Sequence, residues 1–318
     1  MRAWQVTRLG EPVDVMELAE VAPPTPGPGQ LLVRVRAVAL NFPDVLMCRG
    51  QYQVRPPLPF TPGVELCGEV VDTGERVIGT PAANSGALGD YALMDAVDVL
   101  PAPESLDDDR AAAFLIGYQT AWFALHRRAG LRAGETLLVH AAAGGVGSAA
   151  VQLGKAAGAT VIGVVGGPDK AKVARDLGAD LVVDRRSEDF VAVVKEATGG
   201  RGADVVYDPV GGEAFERSTK CVAFEGRIVV VGFASGAIPT PPMSHVLIKN
   251  YSVLGLHWGL YRQRDPAAIR DAHRELTALA DAGVAVPLVG ERIAFEQAAE
   301  GIARLAAGDT VGRVVVTL

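Results

Sequence analysis

A strand, a glycine turn and a helix follow one another without a break at residues 136–157. Thr136-Leu-Leu-Val139 is a short apolar run of the kind that forms a buried parallel strand, and His140-Ala-Ala-Ala-Gly-Gly-Val-Gly147 is the turn. Ser148-Ala-Ala-Val-Gln-Leu-Gly-Lys-Ala-Ala157 then supplies the small and apolar residues of a helix packed on a sheet. This order gathers unbonded main-chain N–H groups and the positive end of a helix dipole at one point, which suits a pyrophosphate. Gly144 lets the backbone approach the phosphates, and Gly147 lets helix and strand pack closely. Ala142 replaces the first glycine of the strict G-x-G-x-x-G fingerprint, so the reading rests on the strand–turn–helix setting more than on the turn itself.

An NAD site places Asp or Glu about 20 residues past the glycines, at the end of the second strand, for the ribose 2′-hydroxyl. Here that strand, Thr160-Val-Ile-Gly-Val-Val165, ends in Gly166-Gly167-Pro168 and the acid is missing. Lys170 lies just beyond, and Arg185-Arg186 follow the third strand, Leu181-Val-Val-Asp184. Cations at the ends of adjacent strands suit a 2′-phosphate, which favours NADPH. Two alternatives stay open: Lys170 and Arg185 as solvated surface charges, and NADH through the nearby Asp169.

The length of 318 residues predicts about two domains, and the 49% apolar and 21% charged content belongs to a globular protein with substantial cores. No apolar run suits a membrane span or a signal peptide. Three scattered cysteines form no C-x-x-C pair, which fits a reducing, cytoplasmic setting, and a net charge of −7 argues against a nucleic-acid partner. Short β runs between prolines and glycines over residues 1 to about 115 suggest a small, partly open β-barrel. The texture then turns helical from Asp107. Between 118 and 258 strands at 137–140, 160–165, 181–184, 203–208, 226–231 and 251–256 alternate with helices at 145–158, 168–177, 187–198 and 212–222. That pattern predicts an α/β protein with a six-stranded parallel sheet. Residues 266–282 and 296–307 read as helices, and Arg313-Val-Val-Val-Thr-Leu318 reads as a strand returning to the barrel. The nucleotide domain (118–258) is thus expected as an insertion between 1–117 and 259–318.

Several stretches combine into a family pattern: Asn41-Phe-Pro-Asp44, Gly50-Gln-Tyr52, Pro56-Pro-Leu-Pro-Phe60, Pro62-Gly-Val-Glu-Leu-Cys-Gly68, Gly74-Glu-Arg-Val77 and Gly89-Asp-Tyr-Ala92. Thr120-Ala121, Asp208-Pro-Val-Gly-Gly212 and Val231-Gly-Phe-Ala234 extend it. Over essentially its whole length the chain resembles the zinc-independent, zeta-crystallin-like quinone oxidoreductases of the medium-chain dehydrogenase/reductase superfamily. The resemblance implies a GroES-like catalytic domain, an inserted Rossmann domain, a cleft between them and NADPH as cofactor. In zinc-holding relatives a histidine precedes the glutamate matching Glu65; here Val64 stands there, and none of the five histidines pairs with another at ligand spacing. No metal is expected. Without a Lewis acid to ionise an alcohol, reduction of a quinone or an α,β-unsaturated carbonyl is the reaction class implied.

By the same resemblance Tyr52 protonates or stabilises an enolate, Asn41 orients substrate or nicotinamide ribose, and Asp44 fixes Asn41 or Tyr52. The plainer readings are Asp44 as a helix cap after Pro43 and Tyr52 as a loop aromatic. Thr120 is expected near the nicotinamide ribose, Gly144, Gly145 and Val146 at the pyrophosphate, and Gly232, Phe233 and Leu256 at the nicotinamide half. The family often has serine at Gly167 and tyrosine at Arg185, both near the 2′-phosphate, and Arg313 is a further phosphate candidate. An enoyl-thioester reductase, with Arg49, Arg55, Arg262 and Arg264 toward a CoA phosphate, is the nearest alternative; a non-catalytic NADPH sensor is another. The apolar sixth strand, 251–256, would be a sheet edge, and pairing it with its copy would give a homodimer.

Overall fold

The computed structural model describes residues 1–83 and 85–318, and the chain divides into two units. One comprises Met1–Ile116, Asp265–Asp281 and Val286–Leu318; the other comprises Gly117–Arg264 and Ala282–Ala285. The divisions fall after Ile116 and Arg264, so residues 259–264, expected with the returning segment, group with the nucleotide unit.

The first unit opens with a two-stranded ribbon, β1 (Arg2–Val6) and β2 (Met16–Glu20). Its main sheet is built on β3 (Gln30–Ala39), followed by β4 (Leu66–Val70), β5 (Arg76–Gly79), β6 (Tyr91–Asp95) and β7 (Leu100–Pro101). Along β3 the side chains alternate, with Val33 and Val35 buried and Arg34 and Arg36 exposed. From Ala37 to Ala39 every residue is buried, after a register shift against β4 between Val35 and Ala37. Such an irregularity changes which way the strand presents its residues. Here it precedes the point where β3 leads into Asn41 and the helix Phe42–Cys48.

The second unit is one parallel sheet: β8 (Thr136–His140), β9 (Thr160–Val165), β10 (Leu181–Asp184), β11 (Ala203–Asp208), β12 (Val222–Val230) and β13 (Ser252–Gly255). The strand order is β10-β9-β8-β11-β12-β13, reversing direction between β8 and β11, the doubly wound arrangement expected. β8 is buried throughout, and β9 is buried after its first residue, as parallel strands covered on both faces must be. Helices Gly145–Ala156, Pro168–Asp176, Phe190–Ala197 and Gly212–Ser218 connect strands at or close to their expected places. Three differences stand out. β12 begins at Val222 instead of 226. The helix Leu115–Trp122 continues into a wider-wound turn over Phe123–Arg128, and Met243–Lys249 and Trp258–Arg264 are helices with no apolar period long enough to announce them.

The chain then returns to the first unit through the helix Pro266–Asp281, β14 (Val289–Ala294), the helix Ala298–Ala307 and β15 (Arg313–Thr317). β15 pairs antiparallel with β3 and parallel with β14, so the sheet order is β14-β15-β3-β4-β5-β7, with β6 also on β3. Its core includes Val33, Val38, Leu66, Val77, Met94, Val314 and Val316.

Candidate functional site

In the second unit the glycine turn connects β8 to a helix of twelve residues. A Cβ on Gly147 would run into the carbonyl oxygen of Ala141, and one on Gly144 would stand 3.2 Å from that oxygen. Gly147 is therefore closed to a side chain, and Gly144 has little room for one. Ser148 N–H starts the helix ladder on Gly144 O, and among the described residues the N–H groups of Gly145, Val146 and Gly147 find no main-chain acceptor. Free N–H groups at the positive end of a helix, lined by glycines, fit a diphosphate. The helix carrying Thr120 runs beside this turn, since a Cβ on Gly117 would stand 3.4 Å from Gly145 O.

At the ends of β9 and β10 two guanidinium groups lie over two glycines. A Cβ on Gly166 would meet Arg185 Nε and Nη2 at 3.3 Å, and one on Gly167 would meet Arg186 Nη1 at 3.0 Å. Gly167 has φ +106°, a conformation that favours glycine and leaves little scope for a serine at this position. Lys170 follows in the first turn of the next helix. Asp184, which sequence reading passed over, accepts N–H bonds from Gly167 at 2.9 Å and Arg186 at 3.0 Å. The Arg186 and Gly167 N–H groups, with the two guanidinium groups, hold its carboxyl below the usual range.

The ends of β11, β12 and β13 adjoin. Val231 N–H bonds Asp208 O, Ala234 N–H bonds Pro209 O, and Leu256 N–H bonds Val230 O. These bonds bring Gly232, Phe233 and Leu256 to the carboxyl edge of the sheet, where ligands of doubly wound folds bind. Asp208 is buried; its Oδ1 accepts the Val210 and Gly211 N–H groups, which shapes the glycine turn after β11. His140, at the end of β8, is buried with Nε2 2.8 Å from Ser218 Oγ, and burial pushes its pKa down to about 4.

In the first unit the structure brings Asn41 and Asp44 together and adds two residues. Asp44 is fully buried and accepts Asn41 N–H at 2.8 Å and Gly63 N–H at 2.9 Å. It both caps the helix and fixes Asn41, so the two sequence readings coincide. Burial pushes its pKa up to about 6, opposed by those two N–H groups. Asn41 Nδ2 reaches Glu65, whose carboxylate also meets Arg313. Burial raises the Glu65 carboxyl and Arg313 opposes that rise. Arg313, expected as a phosphate contact, thus has a different partner: it is 5% exposed and lies in the first unit, on a carboxylate that already neutralises it. Glu65 left a faint trace in the sequence, an acid within the apolar run Val64-Glu65-Leu66-Cys67.

Tyr52 is half-buried in the loop after the helix, its phenol raised by burial and then by the charge of Asp44. The same loop borders a largely apolar pocket of about 240 Å³ lined by Leu9, Met47, Arg55, Leu58 and Phe60. Of the arginines considered for a CoA phosphate, Arg49 is taken by Glu11 at 2.8 Å, and Arg262 and Arg264 belong to the other unit. Among the described residues no three His, Cys, Asp or Glu side chains stand together as metal ligands.

Residues 27–104 match the alcohol dehydrogenase GroES-like domain, and residues 145–278 match the zinc-binding dehydrogenase family. Quinone oxidoreductase-like protein 2 of Mus musculus is 35% identical over 327 residues, covering 100% of this chain and 92% of that protein. The quinone oxidoreductase of Escherichia coli, solved with NADPH, superposes with a TM-score of 0.92 at 30% identity, covering 100% of both chains. The quinone oxidoreductase of Thermus thermophilus, also solved with NADPH, gives 0.86 at 34% identity, again covering 100% of both chains.

Proposed function

From the premise that this chain belongs to the medium-chain dehydrogenase/reductase superfamily, among its quinone oxidoreductase-like members, we propose that it reduces quinones or α,β-unsaturated carbonyls with NADPH and without a metal. The observation that carries the reading is the nucleotide turn with its free N–H groups, set in the same unit as Arg185 and Arg186 over Gly166 and Gly167. A dinucleotide bearing a 2′-phosphate fits both features. Binding to NADPH by similar proteins supports the choice over NADH.

Bound NADPH supplies the hydride, and what the chain must add is a proton and orientation. Tyr52 is the proposed proton donor. Its phenol is held neutral well above physiological pH by burial and by Asp44, so an O–H is available to the oxygen on which negative charge develops. Asn41 and Asp44 hold the start of the adjacent helix in one geometry. Gly144, Gly145, Val146, Gly167, Lys170, Arg185, Thr120, Gly232, Phe233 and Leu256 are the proposed cofactor contacts. The metal-free reading rests on Val64 in the place of a ligand histidine. Among the described residues no helix is long and apolar enough to cross a membrane, and we propose a cytoplasmic homodimer acting on a small molecule.

The test is the initial rate of NADPH oxidation, with NADH alongside, against a naphthoquinone, a simple enone and a crotonyl thioester in the presence of EDTA. Turnover of quinone or enone that survives EDTA is the expected result. Turnover of the thioester alone points to an enoyl-thioester reductase. NADPH binding without turnover points to a sensor.

A further inference from the structure

Segments from the end of β1, the end of the helix Phe42–Cys48 and the loop that follows it frame the apolar pocket of the first unit. Main-chain bonds fix most of the frame. Gly10 N–H bonds Cys48 O at 2.9 Å, and Val6 and Phe60 exchange N–H···O bonds of 2.8 and 3.2 Å. Leu9 lies against Gly50, where a Cβ would come within 2.6 Å of its Cδ1. The remaining side is the loop 52–59. Among the described residues no main-chain N–H in that loop reaches a main-chain oxygen, and Pro56, Pro57 and Pro59 have none to give.

Leu9, Met47, Leu58 and Phe60 give the pocket apolar walls, and Leu9 and Leu58 are 53% and 45% exposed. Its volume is about 240 Å³. An apolar cavity of about 150 Å³ takes a benzene ring, so a two-ring aromatic or a medium-length alkyl chain fits here. One lining residue is charged. Arg55 Nε donates to Tyr52 O at 3.5 Å, and among the described residues no carboxylate pairs with its guanidinium group. Arg49, beside Gly50, is by contrast held by Glu11 at 2.8 Å. A neutral ligand would leave Arg55 without a counter-charge, and a bare anion would leave the walls wet. A ligand with an apolar body and one anionic group satisfies both.

We infer that this pocket binds a small monocarboxylate with an apolar body the size of a naphthalene or a medium alkyl chain. The body lies against Met47, Leu58 and Phe60, and the carboxylate meets Arg55. The site goes beyond the reduction chemistry. Its lining belongs wholly to the first unit, and none of its residues is among those proposed for the cofactor or for proton transfer. Because Arg55 also holds the Tyr52 carbonyl, the ligand bears on the loop that carries Tyr52.

The test is isothermal titration of the full chain, without NADPH or acceptor, with 2-naphthoate, octanoate, the neutral 2-naphthylmethanol and acetate. Saturable binding of 2-naphthoate is expected, with 2-naphthylmethanol weaker by roughly threefold to fivefold, the range of a solvent-exposed ion pair. Acetate should not bind. Arg55→Gln should remove the preference for the carboxylate and leave 2-naphthylmethanol as it was. Leu58→Asp should weaken both aromatic ligands about tenfold or more, since it takes away a wall. Both positions are exposed, and equal Tm values confirm that the variants are folded. No saturable binding of 2-naphthoate or octanoate, acetate binding as well as either, or an affinity for 2-naphthoate that both variants leave unchanged overturns the inference. These measurements need no turnover, so the site stands or falls separately from the reductase reading. Where a naphthoquinone is turned over, competitive inhibition by 2-naphthoate that Arg55→Gln relieves makes the carboxylate a feature of the acceptor; inhibition of kcat alone that the same variant relieves makes it a separate ligand acting through the Tyr52 loop.

Discussion

Asp184 ties the end of β10 to the end of β9: its Oδ1 accepts Gly167 N–H at 2.9 Å while the next two residues send their guanidinium groups over Gly166 and Gly167. The carboxylate takes its hydrogen bonds from the main chain, and both guanidinium groups stand close enough to feel its charge. Arg185→Ala and Arg186→Ala are each expected to raise the KM for NADPH about tenfold or more, the scale of a charge-assisted hydrogen bond. NADH should be unaffected. Equal losses with both cofactors in steady-state kinetics would remove the 2′-phosphate assignment.

Asp44 gives a pH prediction. Burial raises its pKa to about 6, so it takes up a proton just below neutrality and then has less to offer the Asn41 and Gly63 N–H groups. The wild-type profile of kcat/KM should fall on the acid side with a midpoint near that value. In Asp44→Asn the limb should vanish and activity stay level at a reduced plateau. An unchanged acid limb in the variant would show that another group titrates there.

His140 acts on stability instead. Its ordinary pKa is 6.5 and burial lowers it to about 4, so the folded protein keeps it neutral where the unfolded chain binds a proton. The sign follows: the contribution is complete above pH 6.5 and is lost as pH falls toward 4, by about 3 kcal/mol in all. Asp44, whose folded pKa is raised, works in the opposite direction over part of this window. Urea unfolding of wild type and His140→Gln at several pH values separates the two. The gap between the curves should change by about that amount between pH 7 and pH 4.

The edge of the parallel sheet bears on oligomeric state. β13 pairs only with β12 among the described residues, and Val253 is 38% exposed on it. Phe224, Leu247 and Ile248 in the same unit are all at least 70% exposed. A dimer formed across β13 would set two copies of residue 253 near one another, so Val253→Lys should weaken association at least tenfold through like-charge repulsion. Sedimentation equilibrium would show it. A wild-type mass equal to a single 33.1 kDa chain would rule the dimer out.

What the sequence conveyed and what it withheld follow from range. Strands such as Thr136–His140 and Thr160–Val165 are buried on both faces and read as continuous apolar runs, so the parallel sheet and its six strands could be anticipated. The helix Met243–Lys249 has no buried residue and hence no stripe to read. Asn41 and Asp44 sit within one turn of each other and could be named together. Glu65 and Arg313 are separated by 248 positions, and no local pattern connects a lone acid in one strand to a lone base in another. Arg313 meets Glu65 across the end of β3, and nothing in the residues around either one announces the other.

β15 follows the whole nucleotide unit in sequence yet lies beside β3, which precedes it. On the ribosome, the parallel sheet can close while β3 is still open on the side that β15 will cover. Until residues 313–317 emerge, Glu65 has no counter-ion and β3 no β15 partner. The order of synthesis therefore schedules a ready nucleotide unit first and a set Asn41 last, and a nascent chain stalled before β15 would hold the first without the second.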